Sequence, residues 1–369
     1  MKNKSQSVFF STTNVYSQRY KSFLKYFKND SFFVNLMSAN KLNSPVRNTI
    51  IYVFLFFPTF LFLFSRLIFR DLTKLKNIIV PFPGILDLLF LYPICKIFKI
   101  NLIYDSFVNF EQTLISDRKL FKNKNLLKII NKFDSLYIHL SDYLIVETEQ
   151  IKDYYIKKYN LDKLKVIVLL SPREVNTGSL VDLKLKNNTV LYFGSYVPLN
   201  GTEYIVEAAN LLKNKNINFL MIGDGQDKKK CLELARKFRL ENIKFIDTLP
   251  FHSNNPRESL INYIYSCDIS LGTFSNSQKN DQVVPGKVVD SLAIGKKIIT
   301  SNTTSINFYL KNSVIKINSG SSNELASKIL EVLENKKFEN IEKNAIQAHS
   351  KFFSKKAFTE TLERELARV

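Results

Sequence analysis

The stretch DISLGTFSNSQKNDQVVPGKVVDSLAIGKKIITS, residues 268–301, contains a complete strand–helix–strand pattern. An apolar strand at 268–272 leads into a polar loop. The Pro-Gly pair after the loop predicts the start of a helix, and Gly295 predicts its end, because proline favours the first helical positions and glycine the position after the last. A second apolar strand follows at 297–300. This order predicts a parallel βαβ connection.

The first turn of the predicted helix carries one cation and one anion. Lys287 and Asp290 are three residues apart and therefore share a face of the helix. The polar loop ends at the helix N-terminus, where unpaired amide N–H groups favour an anion. Two interpretations follow. Either the pair holds a phosphate and a sugar hydroxyl, or it is a surface ion pair in an ordinary βαβ connection.

The rest of the chain repeats this alternation, which predicts two doubly wound parallel α/β sheets. The predicted strands are 7–12, 31–36, 77–82, 101–106, 143–148 and 165–170, then 189–194, 218–223, 243–247, 268–272, 297–300 and 314–317. The predicted helices are 15–27, 86–98, 126–140, 150–159, 202–213, 228–239, 258–266, 287–294 and 323–333. The polar stretch 173–188 has no clear period and predicts a linker between two domains.

Cysteine and histidine usage argues against a disulfide framework or a metal centre. Cys95, Cys231 and Cys267 are widely spaced and form no CxxC pair, so we expect reduced core thiols in a cytosolic compartment. The three histidines are far apart, and the chain contains neither HExxH nor D-x-D. We therefore expect no metal site and no cofactor.

The first 80 residues carry half of the net charge of +20, with twelve Lys/Arg against two acids. Such a field suits an anionic partner. The alternative explanation of the positive charge is that the whole chain is rich in Lys and Asn, with no function attached to the charge. Because no nucleic-acid motif accompanies the charge, we expect no nucleic-acid partner.

The most apolar segment is TIIYVFLFFPTFLFLFSRLIF at 49–69. A membrane-spanning helix needs about 20 apolar residues, and this run reaches that length only by including Pro58, Ser65 and Arg66. A span would also place strands of one sheet on opposite sides of a bilayer, so we reject it. Two interpretations remain: a buried helix of the domain, or a helix that dips into one leaflet with arginines at the headgroups. Its seven phenylalanines favour the dipping helix.

Several separated motifs resemble glycosyltransferase family 4, whose members are retaining enzymes. In the second half these are FGSYVPLNGTEYIVEAANLL at 193–212, FLMIGDG at 219–225, SCDISLGTF at 266–274 and VVPGKVVDSLAIGKKIITS at 283–301. In the first half PFPGILD at 81–87, YDSFVNFEQTLISDR at 104–118 and SDYLIVETEQIKDYY at 141–155 are also similar. The resemblance implies the GT-B architecture, in which two Rossmann-like doubly wound domains face each other across a cleft.

The resemblance also implies a donor site in the second half. Lys287 matches the basic residue that contacts the donor diphosphate, and Asp290 matches the second glutamate of the family's E-x7-E motif, a ribose contact. The first glutamate falls on Gln282, so that part of the motif is missing, and Asp281 is its possible substitute. Where many members carry Arg and Lys in the loop over the diphosphate, this chain has the uncharged Ser195 and Asn200. The full set of expected donor-binding residues is Gly194, Ser195, Tyr196, Asn200, Gly201, Gly223, Asp224, Gly225, Thr273, Phe274, Asp281, Pro285, Gly286, Lys287 and Asp290.

In the first half, the resemblance points to Asp105 as a catalytic or acceptor-orienting residue, with Lys287 as its catalytic counterpart. Many members have histidine before this aspartate, and Tyr104 stands there instead. Arg118, which follows Asp117, matches a family pair and is an expected acceptor contact; a helix-surface ion pair is the alternative.

Together these observations predict a three-part organisation. Residues 1–172 form an acceptor-binding domain that includes the apolar helix, 173–350 a nucleotide-sugar donor domain, and 351–369 a last helix that crosses back to the first domain. The implied activity is transfer of a sugar from a nucleotide sugar, with retention, to a lipid-linked or surface glycan acceptor. We expect a cytoplasmic protein at the inner face of an anionic membrane. The alternative is a non-catalytic nucleotide-sugar-binding or scaffold member of a polysaccharide assembly complex.

Overall fold

The computed structural model describes residues 6–12, 17–33, 45–69, 72–107, 109, 111–113, 124–247, 256–334 and 338–369. These residues form two compact units. The first unit comprises the described residues of Met1–Glu111, Asn123–Pro172 and Phe358–Val369. The second comprises those of Gln112–Lys122 and Arg173–Ala357. Each unit is built on one six-stranded sheet.

The first unit is a doubly wound α/β structure with the strand order β2-β1-β3-β4-β5-β6, all parallel. Its strands are β1 (Ser7–Ser11), β2 (Ser31–Phe33), β3 (Asn77–Pro81), β4 (Asn101–Asp105), β5 (Tyr143–Val146) and β6 (Val166–Val168). Its helices are α1 (Gln18–Phe27), α2 (Pro45–Ile68), α3 (Ile85–Phe98), α4 (Lys124–Leu140) and α5 (Glu149–Tyr159). The order reverses between β1 and β3, which makes that pair its topological switch point.

The second unit has the order β12-β11-β10-β7-β8-β9, also all parallel. Its strands are β7 (Thr189–Phe193), β8 (Asn218–Ile222), β9 (Ile243–Ile246), β10 (Ile269–Leu271), β11 (Lys297–Ser301) and β12 (Ile315–Ile317). Its helices are α6 (Thr202–Leu211), α7 (Lys228–Lys237), α8 (Pro256–Ser266), α9 (Gln278–Gln282), α10 (Gly286–Ile294), α11 (Thr304–Leu310), α12 (Ser322–Glu334) and α13 (Glu339–Ala348). A π-helical turn at His349–Phe353 then leads to α14 (Lys355–Arg368).

Local signals in the sequence set many of these boundaries. The Ser17, Thr148 and Thr303 side chains accept hydrogen bonds from amides in the first turns of α1, α5 and α11, as N-cap residues do. Pro285 caps the start of α10, and Gly295 ends it in the left-handed conformation that glycine adopts without strain. All twelve predicted strands and nine predicted helices are present, with ends shifted by a few residues. The short helices α9, α11 and α13 were not predicted.

Aromatic packing dominates the core on one side of the first sheet. Phe9 of β1 stacks on Phe23 and Phe27 of α1, with ring centroids 5.5 and 6.1 Å apart. Phe358 and Leu362 of α14 join this cluster, so the end of the chain packs on the first sheet. The second sheet has an aliphatic core around β7, β10, α6 and α12. Cys95, Cys231 and Cys267 are buried and reduced, as predicted.

Helix α2 contains the apolar run; one of its sides is buried in the unit, and the dipping of the other side into a membrane stays a prediction. Phe56, Phe60, Leu63 and Leu67 are buried at helical spacing, so one side of the helix belongs to the core. The opposite side is exposed. Among the residues that the structure describes, no helix has the length and hydropathy of a membrane span.

Candidate functional site

The carboxyl ends of the second sheet gather most of the predicted donor-site residues. The chain runs from β7 outward to β8 and β9, then returns to β10 on the other side of β7. The loops after β7 and β10 therefore diverge at a topological switch point, where open α/β sheets bind their ligands. Gly194–Gly201 follows β7, Gly223–Gly225 follows β8, and Thr273–Phe274 follows β10.

Two glycines let the loops after β7 and β8 touch through their backbones. Gly223 has φ +136°, and a Cβ atom there would lie 2.1 Å from the carbonyl oxygen of Gly194. Gly225 has φ +148°, and its Cβ would lie 2.7 Å from the amide nitrogen of Tyr196. No other residue fits either place, because both the φ angle and the space exclude a side chain. Asp224 contributes its carbonyl, which accepts a hydrogen bond from the Tyr196 amide at 3.0 Å.

Lys287 lies at the start of α10 and reaches across to β7. Its ammonium donates a hydrogen bond to the Tyr192 hydroxyl at 2.9 Å and lies 4.1 Å from the centroid of that ring. The Tyr192 hydroxyl in turn donates to the carbonyl of Ser195 at 2.9 Å. Gly194 leaves room for the Lys287 side chain beside β7, since a Cβ at Gly194 would lie 3.3 Å from Cε of Lys287.

The charge on Lys287 has no carboxylate partner. Among the described residues, no carboxylate lies within ion-pair distance of its ammonium. Burial lowers the pKa of Lys287 well below its ordinary value, because desolvation disfavours the charged form. The first-turn amides of α10 add the positive end of a helix dipole. The arrangement is therefore prepared to receive an anion.

Asp290, one turn further along α10, is held by two arginines that the sequence did not single out. Nη1 of Arg173 donates to one carboxylate oxygen and Nη2 of Arg257 to the other, both at 2.9 Å. The acid is buried, while about a third of each arginine side chain is exposed. The Arg173 guanidinium also packs against Gly286, where a Cβ would lie 2.1 Å from Nη2. Asp290 and Lys287 are not paired with each other, so the surface ion pair considered from the sequence is wrong.

The remaining polar loop after β10 is held by internal contacts. Asp281 accepts hydrogen bonds from the amide and hydroxyl of Thr304, both at 2.7 Å, and so caps α11. Gln282 accepts from the Gln112 amide at 2.9 Å. Thr273 is buried and donates to Asn280 at 2.7 Å.

The loop after β7 contributes backbone more than side chains. Tyr196 and Phe274 are fully buried core residues. Asn200 is buried and donates to the carbonyl of Ser195, while Ser195 itself is exposed. Gly201 adopts φ +61°, with its hypothetical Cβ 2.7 Å from the Ser275 amide nitrogen. The predicted contacts of these residues with a donor stay predictions.

In the first unit, Asp105 ends β4 and forms a buried ion pair with Arg19 of α1. Nε and Nη2 of Arg19 donate to the carboxylate at 2.6–3.0 Å. Nη1 donates to the Leu169 carbonyl at 2.5 Å. Arg19 is 2 % exposed, so the pair joins α1, β4 and the end of β6 inside the unit. Arg118 lies outside the described residues.

A second buried acid lies at the switch point of the first sheet. Asp87 is in the first turn of α3 and is 0 % exposed. One of its oxygens accepts from the Thr12 amide at 3.1 Å, and the other has no partner among the described residues. Burial raises the pKa of Asp87 to about 7. Asp87 was not predicted as a site residue, because nothing in the local sequence pattern shows that it is buried.

Across the described residues, no group of three or more His, Cys, Asp or Glu side chains is placed to hold a metal ion. The candidate site is cationic. Its features are the Lys287 ammonium, the N-terminus of α10 and the arginine pair on Asp290.

Known proteins share the fold of this chain and part of its sequence pattern. Residues 181–348, which lie in the second unit, match the family model described as glycosyl transferases group 1. No curated protein sequence matches the chain.

Among solved structures, the chain is similar to HepE of Anabaena in complex with UDP, with 12% identity over 99% of this chain and 100% of that chain and a TM-score of 0.71. It is also similar to sucrose-phosphate synthase from Thermosynechococcus elongatus, with 12% identity, 91% and 82% coverage and a TM-score of 0.66. A glycosyltransferase from Rickettsia africae gives 13% identity, 98% coverage of both chains and a TM-score of 0.64. These similarities confirm the predicted GT-B fold class.

Proposed function

We propose that the protein is a glycosyltransferase that transfers a sugar from a nucleotide-sugar donor, with retention of anomeric configuration. The observation that carries the proposal is Lys287: a cation without a carboxylate partner, at a helix N-terminus, at the switch point of the second sheet. A diphosphate supplies the negative charge that neither a described side chain nor the helix provides at this place. The family match over residues 181–348 supports the same activity.

In this proposal the protein acts by positioning and charge stabilisation. Lys287 and the first-turn amides of α10 bind the donor diphosphate and stabilise the charge that develops as the bond to the sugar breaks. Attack on the front face of the sugar retains configuration, and the leaving diphosphate takes the proton of the acceptor hydroxyl. The protein needs neither a nucleophile nor a cofactor for this step. Asp105 and Arg118 are the proposed acceptor contacts, and Asp290 is a proposed ribose contact through its free lone pairs or through its arginines.

The proposed acceptor is a lipid-linked or surface glycan, and the proposed location is the cytoplasmic face of a membrane. The support comes from α2, whose exposed side is apolar and carries Arg66. Half of the net charge also lies in the first 80 residues. Both features suit an anionic lipid surface.

A thermal-shift screen against nucleoside diphosphates and their sugars tests the donor site. UDP is the first probe, because the similar HepE structure contains it. We expect one nucleoside diphosphate to raise the melting temperature and Lys287→Ala to abolish that rise. Lys296→Ala is the matched control, since Lys296 follows the opposite end of α10 and donates to the Cys267 carbonyl. Unchanged stabilisation in Lys287→Ala contradicts the diphosphate assignment.

The second candidate function is a non-catalytic nucleotide-sugar-binding member of a polysaccharide assembly complex. It is favoured by the uncharged Ser195, Asn200 and Gln282, and by the contacts that already engage Asn200 and Gln282. Incubation with the stabilising nucleotide sugar separates the two functions. Release of nucleoside diphosphate, through transfer or slow hydrolysis, supports the enzyme. Binding without release across glycan and lipid-linked acceptors supports the scaffold.

A further inference from the structure

Three helices of the first unit form a continuous layer on one side of its sheet. Right-handed crossovers place α2, α3 and α4 together, because each connects a strand to the next one in the same direction across the sheet. Phe90 of α3 packs on Phe56, Phe57 and Phe60 of α2, with ring centroids 5.4–6.1 Å apart. Helices α3 and α4 also contact each other. We call the outward side of these helices the α2–α4 surface.

Large apolar side chains crowd the α2–α4 surface. Phe69 beside α2 is 90% exposed, Ile97 of α3 75% and Phe133 of α4 56%. Further exposed apolar residues of the three helices are Leu55, Phe57, Leu61, Phe62, Ile68, Leu89, Phe90, Phe98, Ile129 and Leu136. Contiguous apolar surfaces of this kind mark interaction sites in soluble proteins. The sequence pointed only to the α2 part of this surface, because it places helices at 86–98 and 126–140 without showing which of their sides stay exposed.

Every exposed charged residue that the structure describes on the three helices is basic. The three helices contain only two acids, Asp87 and Asp134, and both are 0% exposed. The exposed charged residues that the structure describes on these helices are Arg66, Lys96, Lys128 and Lys132, of which Lys96 is ion-paired with the partly exposed Asp142 at 2.6 Å. Lys128 and Lys132 alternate with Ile129 and Phe133 along the exposed face of α4. Phenylalanine and lysine on one face fit acyl chains and anionic headgroups, whereas the cores of protein interfaces are depleted in lysine.

We propose that the α2–α4 surface docks flat on an anionic lipid bilayer, with phenylalanines from α2 and α4 entering the headgroup–acyl boundary. The buried side of α2 packs on the sheet through Phe60, whose ring centroid lies 5.6 Å from that of Phe10 in β1, so α2 enters the leaflet without leaving the unit. The inference deepens the proposed membrane location by naming its surface. Its observations lie in the first unit and do not depend on the donor site.

The chain contains no tryptophan, so a single introduced tryptophan reports on one position. The variants Phe62→Trp in α2 and Phe133→Trp in α4 probe the surface, and Phe308→Trp in α11, 60% exposed, is the matched control. Vesicles that contain phosphatidylglycerol are compared with vesicles of phosphatidylcholine alone. We expect the anionic vesicles to shift the emission of Phe62→Trp and Phe133→Trp to the blue and to leave Phe308→Trp unchanged.

A shift in Phe62→Trp alone overturns the three-helix surface and leaves docking to α2. No shift in either variant, or equal shifts in all three, overturns the proposal. Tight association of protein copies instead of vesicle binding, seen as concentration-dependent sedimentation without lipid, also overturns it in favour of a self-interface.

The basic residues provide a second test. Each lysine near an anionic surface adds a favourable electrostatic contribution, so removing one lowers vesicle partitioning about fivefold. We expect Lys128→Gln with Lys132→Gln to lower co-sedimentation about 25-fold at low salt, and Lys229→Gln with Lys237→Gln in α7 to leave it unchanged. Equal losses in the two double variants contradict a defined surface. UDP-induced stabilisation reports on the donor site separately, so a wild-type protein that binds UDP but not anionic vesicles overturns only the surface, and one that binds the vesicles but not UDP overturns only the donor site.

Discussion

Two cations, the buried Arg19 in the first unit and the partly buried Lys287 in the second, occupy comparable places near the carboxyl ends of a parallel sheet. Arg19 has an acid beside it: Asp105 accepts three of its hydrogen bonds, and the Leu169 carbonyl accepts another. Among the residues that the structure describes, the Lys287 ammonium contacts the hydroxyl and ring of Tyr192 and no carboxylate. The first cation is satisfied by the protein itself, whereas the second lacks a counter-charge.

This difference separates a structural cation from a binding cation. A buried charge is costly unless it is paired, so folding provides a partner wherever the charge serves only the fold. A lysine without a counter-charge at a helix N-terminus loses its proton more readily, as the lowered pKa of Lys287 indicates. Asp87 is the acidic counterpart in the first unit: it is buried without a cation, and its pKa is raised. The comparison predicts opposite effects of substitution at these positions.

The largest expected effect is at Arg19. Replacing it by methionine leaves the Asp105 carboxylate buried and unpaired, so we expect the free energy of unfolding to fall by about 3–5 kcal/mol. Urea denaturation measures the change. Adding Asp105→Leu removes the unpaired carboxylate and is expected to restore most of the lost stability. If Arg19→Met alone is as stable as the wild-type protein, the buried Arg19–Asp105 ion pair does not contribute to the stability of the fold.

The next effect concerns the pH dependence of stability through Asp87. Its folded-state pKa of about 7 lies above the unfolded value of 3.8, so the folded state binds more protons and stability falls as pH rises between these values. Each pKa unit corresponds to about 1.4 kcal/mol, which gives a loss of about 4 kcal/mol across the window between 3.8 and about 7. Asp87→Asn is expected to abolish this part of the loss. Denaturation at acidic and alkaline pH compares the two proteins, and parallel pH profiles contradict a raised pKa.

The sequence predicted the elements of both sheets because local signals define them. Strands and helices alternate along the chain. Pro285 and Gly295 mark the two ends of α10, so the position of Lys287 in its first turn could be predicted directly. Helices α9, α11 and α13 were missed because they are short or polar connections. The partners of the charges were also missed. Arg173 and Arg257 are 117 and 33 residues from Asp290, and Arg19 is 86 residues from Asp105. Only tertiary packing brings such residues together, so no local period reveals them.

A smaller effect, opposite in sign to that at Arg19, is expected at Lys287. Lys287→Met removes an ammonium that burial disfavours, so we expect the unliganded protein to become more stable. The same change removes a charge-assisted contact with the diphosphate, worth about 2 kcal/mol or roughly 30-fold in nucleotide affinity. Denaturation and calorimetric titration with UDP measure the two effects. A variant that loses both stability and affinity contradicts the distinction between structural and binding cations.

The smallest expected effect is the uptake of less than one proton when the nucleotide binds. Burial lowers the pKa of Lys287 in the unliganded protein, and a bound phosphate raises it by offering the missing counter-charge. Between the two pKa values binding therefore takes up a proton, and affinity falls as pH rises through that window. The titration is done well above pH 6, where the second phosphate pKa of about 6 no longer contributes.

Binding heats in two buffers of different ionisation enthalpy give the number of protons that the complex takes up. Lys287→Met is expected to take up none, so buffer-independent heats in both proteins mean that Lys287 is already charged before the nucleotide arrives. In that case Lys287, like Arg19, is a permanently charged residue of the unliganded protein, although it lacks a carboxylate partner among the described residues.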